Sequence, residues 1–198
     1  IIVRRLFFIF LIISVIFTNS IYAETNLKNV RATGAILMDF ESGRVLWEKN
    51  SDEPLAPAST TKIMTAILAL ENSKPDDVVE VSKRASQAPE VNMDLKQGEK
   101  HTMQNLLYAL MLQSYNDSAI AIAEHIGGSV KGFAEMMNKK AKELGAKDTE
   151  FVTPNGLDSG NHHTTAYDMA LITRYALNNP DFVKLINTKT AEFTSLDD

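Results

Sequence analysis

The sequence has no cysteine. That excludes a disulfide scaffold, a thiolate zinc site, an iron–sulfur cluster and a cysteine nucleophile. It has no excess of positive charge either. Lys plus Arg is 20 and Asp plus Glu is 25, a net charge of −5. No nucleic acid is therefore expected as a main partner. There is no internal repeat, no low-complexity tract and no His-Glu-x-x-His helix motif. Apolar residues still make up 44% of the 198 residues, with 23% charged, the composition of a globular chain rather than a disordered one.

The most apolar stretch, Leu6–Phe17, is 12 residues long and follows Arg4-Arg5. It is short of the ~20 residues that a bilayer-spanning helix needs. Thr18–Ala23 then leads to a small residue followed by Glu24. A basic start, a short apolar stretch and a small residue at a cut describe a secretory signal over residues 1–23, with an uncleaved anchor as the alternative. The rest of the chain is thus expected to be exported, on the outer side of the cytoplasmic membrane. Residue 1 is Ile and the chain stops at Asp198 in a polar Leu-Asp-Asp run, which suggests a piece of a longer reading frame.

Beyond Ala23 the pattern is one hairpin and many helices. Ala35–Met38 and Val45–Trp47 flank a Ser-Gly turn and read as paired strands. Ile63–Leu70 is apolar on all sides, the mark of a buried helix. A short strand is expected over Val78–Val81. Met103, Leu106, Leu107, Leu110 and Met111 share one helical face. Further helices are expected over Ala119–Ile126, from Phe133 to Leu144, and over Thr165–Leu177, the last stopped by Asn178-Asn179-Pro180. Two strands make a marginal sheet, so either the fold is nearly all-α or more of the sheet lies beyond Asp198.

Ser59-Thr60-Thr61-Lys62 stands at the mouth of the buried helix. Residues three apart share a helix face, which sets a hydroxyl beside an amine. A serine needs a base to attack a carbonyl, and a neutral amine can serve. Burial and a helix N-terminus both disfavour the ammonium there. Helix-start N–H groups could hold an oxyanion. The alternative is an N-capping Ser with a solvated Lys. A chain with 13 Ser and 14 Lys offers about one such spacing by chance, so the spacing alone is uninformative. A second element, Ser114-Tyr115-Asn116, lies between two apolar helices, where polar groups need partners. It reads either as a proton relay with a carbonyl-holding amide, or as a helix end followed by a helix cap. Ser159-Gly160-Asn161 has the same form but sits among turn formers.

The flanks separate these readings. Pro57–Thr65 (PASTTKIMT), Leu106–Ser129 (LLYALMLQSYNDSAIAIAEHIGGS) and Phe133–Ala170, behind the Gly34–Asn50 hairpin, resemble in order the D-alanyl-D-alanine carboxypeptidases. These are low-molecular-mass penicillin-binding proteins of the serine β-lactamase-like superfamily, in which Ser-x-x-Lys, a Ser-x-Asn element and Lys-Thr-Gly recur. The resemblance implies an α/β (α+β) fold, a helical subdomain plus an antiparallel sheet, with residues 24–198 forming the N-terminal part of the catalytic domain. It implies Ser59 as the nucleophile, Lys62 as its base, Ser114 in the proton-transfer network and Asn116 on the substrate amide. Ser159–Asn161 has no counterpart among these roles. Tyr115 replaces a usually small residue and is expected to point away from the reaction.

The implied activity is removal of the terminal D-Ala from the peptidoglycan stem pentapeptide through an acyl-enzyme, with β-lactams acylating the same serine. A β-lactamase-like hydrolase and a non-catalytic penicillin-binding protein are the alternatives. No cofactor and no metal is implied. His162-His163 reads as structural, and His101 and His125 as solvated or capping. Membrane contact is expected only through a C-terminal segment beyond Asp198. Lys-Thr-Gly does not occur, since Lys189-Thr190 is followed by Ala191. That motif and the remaining strands are expected beyond Asp198, and residues 24–198 alone are expected to fold poorly and aggregate through an open sheet edge.

Overall fold

The computed structural model describes residues 30–89, 91–157, 160–192 and 194–197. The expected signal segment lies outside them, as does Ser159 of the Ser-Gly-Asn triplet. From Ala32 onward the chain packs as one unit. Strands β1 (Ala35–Met38) and β2 (Val45–Lys49) form the expected antiparallel hairpin, running from Ala35 opposite Lys49 to Met38 opposite Val45. The Asp39 carboxylate closes the turn by accepting from the Ser42 N–H at 2.9 Å and from the Ser42 hydroxyl. Helix α1 (Lys62–Asn72) is the expected buried helix, entered through a 3-10 turn over Ala58–Thr61. Its Met64, Ala66, Ile67, Leu68 and Ala69 are all 3% exposed or less.

Helices α2 (Met103–Leu112), α3 (Asn116–Gly127) and α4 (Val130–Glu143) follow, then α5 (Ala166–Leu177) and α6 (Pro180–Ile186). Helix α1 is central and packs against α2, α3, α4, α5 and α6. Leu106 and Leu110 of α2, Ile122 of α3 and Phe133 of α4 fill the core around it. Full burial of each such side chain contributes about 1.5–3 kcal/mol, which is why an element apolar all round sits in the middle. Hydroxyl caps start the outer helices: Thr102 for α2, Ser129 for α4 and Thr165 for α5 each accept from the backbone N–H three residues on.

Two expectations need correction, and a third gains an unexpected partner. The expected short strand at Val78 is present. β3 (Val78–Glu80) pairs antiparallel with β4 (Lys100–Thr102), with Val79 opposite His101. His101 is accordingly buried at 2% exposure, with Nε2 3.1 Å from a Glu99 carboxylate oxygen, rather than solvated. Asn178-Asn179-Pro180 ends α5 but also starts α6. Asn179 accepts from the Asp181 and Phe182 N–H groups, and Pro180 occupies the first helical turn, where its missing N–H costs nothing.

Helix α3 begins at Asn116, three residues ahead of Ala119, and this moves Asn116 and Asp117 into its first turn. Asp117 is 1% exposed. Its carboxylate accepts from the N–H groups of Met93 (2.9 Å), Leu95 (3.2 Å) and Ser118 (2.8 Å), at the helix end that favours negative charge. It thereby pins the 91–95 stretch, whose Val91 carbonyl accepts from the Asn116 N–H at 2.7 Å. Asp117→Ala strands three donors, two of them buried, and is expected to cost about 3 kcal/mol, read as a lowered urea midpoint. A change under about 0.5 kcal/mol, the size of an ordinary surface substitution, would mean that the 91–95 stretch is held by something else.

Candidate active site

The site is built where the 3-10 turn feeds α1. Pro57 precedes the turn, and Ala58 has φ of 48°, an uncommon conformation for a residue with a Cβ. In a 3-10 turn residues i and i+3 eclipse one another. Ser59 and Lys62 are so related, and Lys62 Nζ lies 3.2 Å from Ser59 Oγ. Ser59 is exposed to solvent, whereas Lys62 is 2% exposed. Nucleophile-type hydroxyl and amine thus meet at the boundary between solvent and core.

Lys62 Nζ has two more partners. It donates to Asn116 Oδ1 at 2.9 Å and to the Asn155 backbone carbonyl at 3.0 Å. Both acceptors are neutral. Burial alone therefore dominates the amine, pulling its pKa from 10.5 down to about 8. A neutral amine has two N–H bonds and one lone pair. Two carbonyls can only accept, so they take the two N–H bonds, and the lone pair is left for the one partner that can donate, the Ser59 hydroxyl.

Asn116 is 4% exposed and reaches two ways. Its Oδ1 holds Lys62, and its Nδ2 donates to the Pro89 carbonyl at 3.2 Å. Ser114, two residues ahead, has φ of 62°, and its Oγ is buried without a hydrogen-bond partner among the described residues. A strained residue with an orphaned buried hydroxyl is an arrangement that a purely structural turn would not retain cheaply. Tyr115 lines a hollow with Tyr108, Leu112 and Lys189 that includes none of Ser59, Lys62, Ser114 or Asn116.

The sequence reading missed the third wall. Pro154-Asn155-Gly156, a triplet of turn formers, is fastened to α1 at successive points. The Asn155 carbonyl takes Lys62, and the Pro154 carbonyl takes the Thr65 hydroxyl at 2.6 Å. His162 Nε2 lies 2.9 Å from Thr61 Oγ1, with both residues buried. Gly156 packs so closely on the 3-10 turn that a Cβ there would sit 1.8 Å from the Ala58 carbonyl oxygen. The Pro-Asn-Gly triplet was the available signal, since a left-handed glycine also marks close backbone approach. A cavity of about 260 Å³ between the end of α1, α2 and α6 contains none of these residues, and the Ser73 hydroxyl in its lining donates to the Ala69 carbonyl at 2.6 Å.

Comparison with known proteins shows the family and the fold. A family model described as D-alanyl-D-alanine carboxypeptidase matches residues 20–197. D-alanyl-D-alanine carboxypeptidase DacF of Bacillus subtilis is 41% identical over 162 residues, covering 79% of this chain and 42% of the relative. DacC of Escherichia coli is 39% identical over 177 residues, covering 84% and 44% respectively. The chain thus spans less than half the length of these relatives. Among solved structures, the carboxypeptidase DacD from Francisella tularensis superposes with a TM-score of 0.76 at 39% identity, covering 79% of this chain and 40% of that one. Penicillin binding protein 6B from Escherichia coli also gives 0.76, at 33% identity, covering 83% and 56%. The folds agree as well as the sequences, with helices around a buried α1 and small antiparallel sheets in a mixed α/β arrangement. Because the match embraces both the Ser59–Lys62 turn and the Asn116 helix start that meets it, this chain belongs to the D-alanyl-D-alanine carboxypeptidase family.

Proposed function

We propose that the protein is a serine-type D-Ala-D-Ala carboxypeptidase, removing the terminal D-Ala of the peptidoglycan stem pentapeptide through an acyl-enzyme on Ser59. The observation that carries this reading is the Ser59 Oγ to Lys62 Nζ contact at 3.2 Å, with the amine's other partners both carbonyls. Neutral Lys62 takes the proton as Ser59 Oγ bonds to the scissile carbonyl carbon. The ammonium so formed keeps its bonds to Asn116 Oδ1 and the Asn155 carbonyl, so charge develops where acceptors already stand. The Ser59 N–H, at the start of the turn, serves in this reading as one donor to the oxyanion. The peptide C–N bond then breaks, and the proton passes to the departing D-Ala amine, with the orphaned Ser114 hydroxyl as the relay. Water repeats the sequence on the ester and returns Ser59 to its hydroxyl form. Asn116 Nδ2 can exchange the Pro89 carbonyl for a substrate carbonyl, and its Oδ1 orients Lys62 meanwhile.

β-Lactams, which present a strained amide to the same attack, are proposed to acylate Ser59. The chain's proposed place of work is outside the cytoplasmic membrane, where the pentapeptide is. Intact mass after penicillin exposure tests the nucleophile. A covalent adduct is expected on the wild type and none on Ser59→Ala. An adduct persisting in Ser59→Ala would overturn the assignment. Release of D-Ala from diacetyl-Lys-D-Ala-D-Ala then separates a carboxypeptidase from a protein that binds penicillin without turnover, and rapid drug hydrolysis would indicate a β-lactamase.

A further inference from the structure

His162 lies outside the Ser59, Lys62, Ser114 and Asn116 set, yet its ring ties two walls of the site together. It is 3% exposed. Two backbone N–H groups, of Val152 at 2.9 Å and Thr153 at 3.3 Å, both point at Nδ1. Nδ1 must therefore carry a lone pair, and the ring hydrogen sits on Nε2. Nε2 in turn donates to Thr61 Oγ1 at 2.9 Å. The Phe151 ring packs edge-on against the imidazole, with centroids 5.7 Å apart, and fixes its orientation. Thr61 directly precedes Lys62, and Val152-Thr153 directly precede Pro154-Asn155. One imidazole thus joins the segment bearing the amine to the segment whose carbonyl accepts from it.

We propose that His162 is a positioning residue, a strut between Thr61 and the 152–156 loop that holds the Asn155 carbonyl against Lys62. Without the strut, the described contacts that register the loop on α1 are the Lys62 bond itself, the Thr65 contact and the Gly156 packing. Water then reaches the amine, and its partner carbonyl drifts. The inference uses the acyl-transfer reading for its consequence on rate, but the geometry it describes can be tested without turnover.

The test combines two readouts on the intact protein. The first is the Lys62 titration, followed by NMR with lysine labelled at Cε. The second is the second-order rate of acylation by a fluorescent penicillin. In His162→Ala the Lys62 pKa is expected to climb from about 8 toward the ordinary 10.5 as the amine is hydrated. Acylation is expected to fall by about tenfold to a hundredfold, the scale of a misplaced catalytic group. His162→Gln offers one amide carbonyl to the loop and one N–H to Thr61, and should hold both values near wild type.

An unchanged Lys62 titration in His162→Ala overturns the proposal, whether or not the rate falls. So does failure of Gln to restore what Ala loses. If His162→Ala does not fold, Thr61→Val removes the same bond from the other end, and the same two criteria apply to it. If wild type itself is not acylated, the acyl-transfer reading fails, and the Lys62 titration still decides the strut by itself. If wild type is acylated and His162→Ala matches it in both readouts, the strut fails and the acyl-transfer reading stands.

Discussion

Lys62→Met is expected to lower the rate of Ser59 acylation by about 10²–10⁴-fold, the usual contribution of a positioned general base. In the wild type the rate should track the neutral amine. With the Lys62 pKa pulled down by burial to about 8, roughly a tenth of the molecules are competent at pH 7 and about half at pH 8. The logarithm of the rate should therefore rise with unit slope to about pH 8 and then flatten, and Lys62→Met should lack that limb. The same burial has a stability consequence whose sign is fixed. The folded pKa lies below the unfolded one, so the unfolded chain holds the extra proton between about 8 and 10.5, and stability rises with pH across that window. Below about pH 8 the buried ammonium costs the fold about 3 kcal/mol, equivalent to the lowering from 10.5. Methionine removes that cost but takes the Lys62 bond away from Asn116 Oδ1 and from the Asn155 carbonyl, at about 1–3 kcal/mol each. The two effects oppose, so the variant should fold with a Tm near wild type while acylation collapses. A folded Lys62→Met that acylates within tenfold of wild type would remove Lys62 from the base role.

The parts of this site that could be read from the sequence are those carried by side chains at short, regular spacing. Ser59 and Lys62 are three apart on an element that had to be helical, because Ile63–Leu70 is apolar all round. Asn116 could be placed near a helix start because two apolar helical patterns leave only a short polar gap around it. The rest was illegible for specific reasons. The second acceptor on Lys62 is the backbone carbonyl of Asn155, and a backbone group leaves no signature of its own. His162 looks like any loop histidine until the chain brings it 2.9 Å from Thr61, 101 positions away in sequence. In the fold, β4 is Lys100-His101-Thr102, too short and too polar to signal a strand until Val79 supplies its partner. Helix α6 was hidden because Asn179-Pro180 is equally good at stopping one helix and starting another. Apart from α6, where the ambiguity is local, the missing information is a long-range contact, which local propensity cannot contain.

Gly156→Ala is expected to damage the site as severely as the loss of a catalytic side chain, although residue 156 takes no part in the chemistry. Gly156 has φ of +82°, and a Cβ there would lie 1.8 Å from the Ala58 carbonyl oxygen, 2.4 Å from the Ala58 carbonyl carbon and 2.8 Å from Thr61 Oγ1. The first two are backbone atoms of the turn that presents Ser59, so no side-chain rotation relieves the clash. Either the 152–156 loop lifts and the Asn155 carbonyl leaves Lys62, or the 58–61 turn shifts and Ser59 moves with it. A displacement of about 1 Å at either place is enough for roughly a hundredfold loss in acylation. The left-handed backbone conformation by itself costs an alanine only about 1–2 kcal/mol. Gly98 separates the two causes: its φ is +84°, but a Cβ there meets nothing within 4 Å. Gly98→Ala should therefore lose that 1–2 kcal/mol and acylate at the wild-type rate. Gly156→Ala should lose more stability and nearly all reactivity. Equal acylation rates in the two variants would show that the loop is not seated on the Ser59 turn, and the third wall of the site would have to be redrawn.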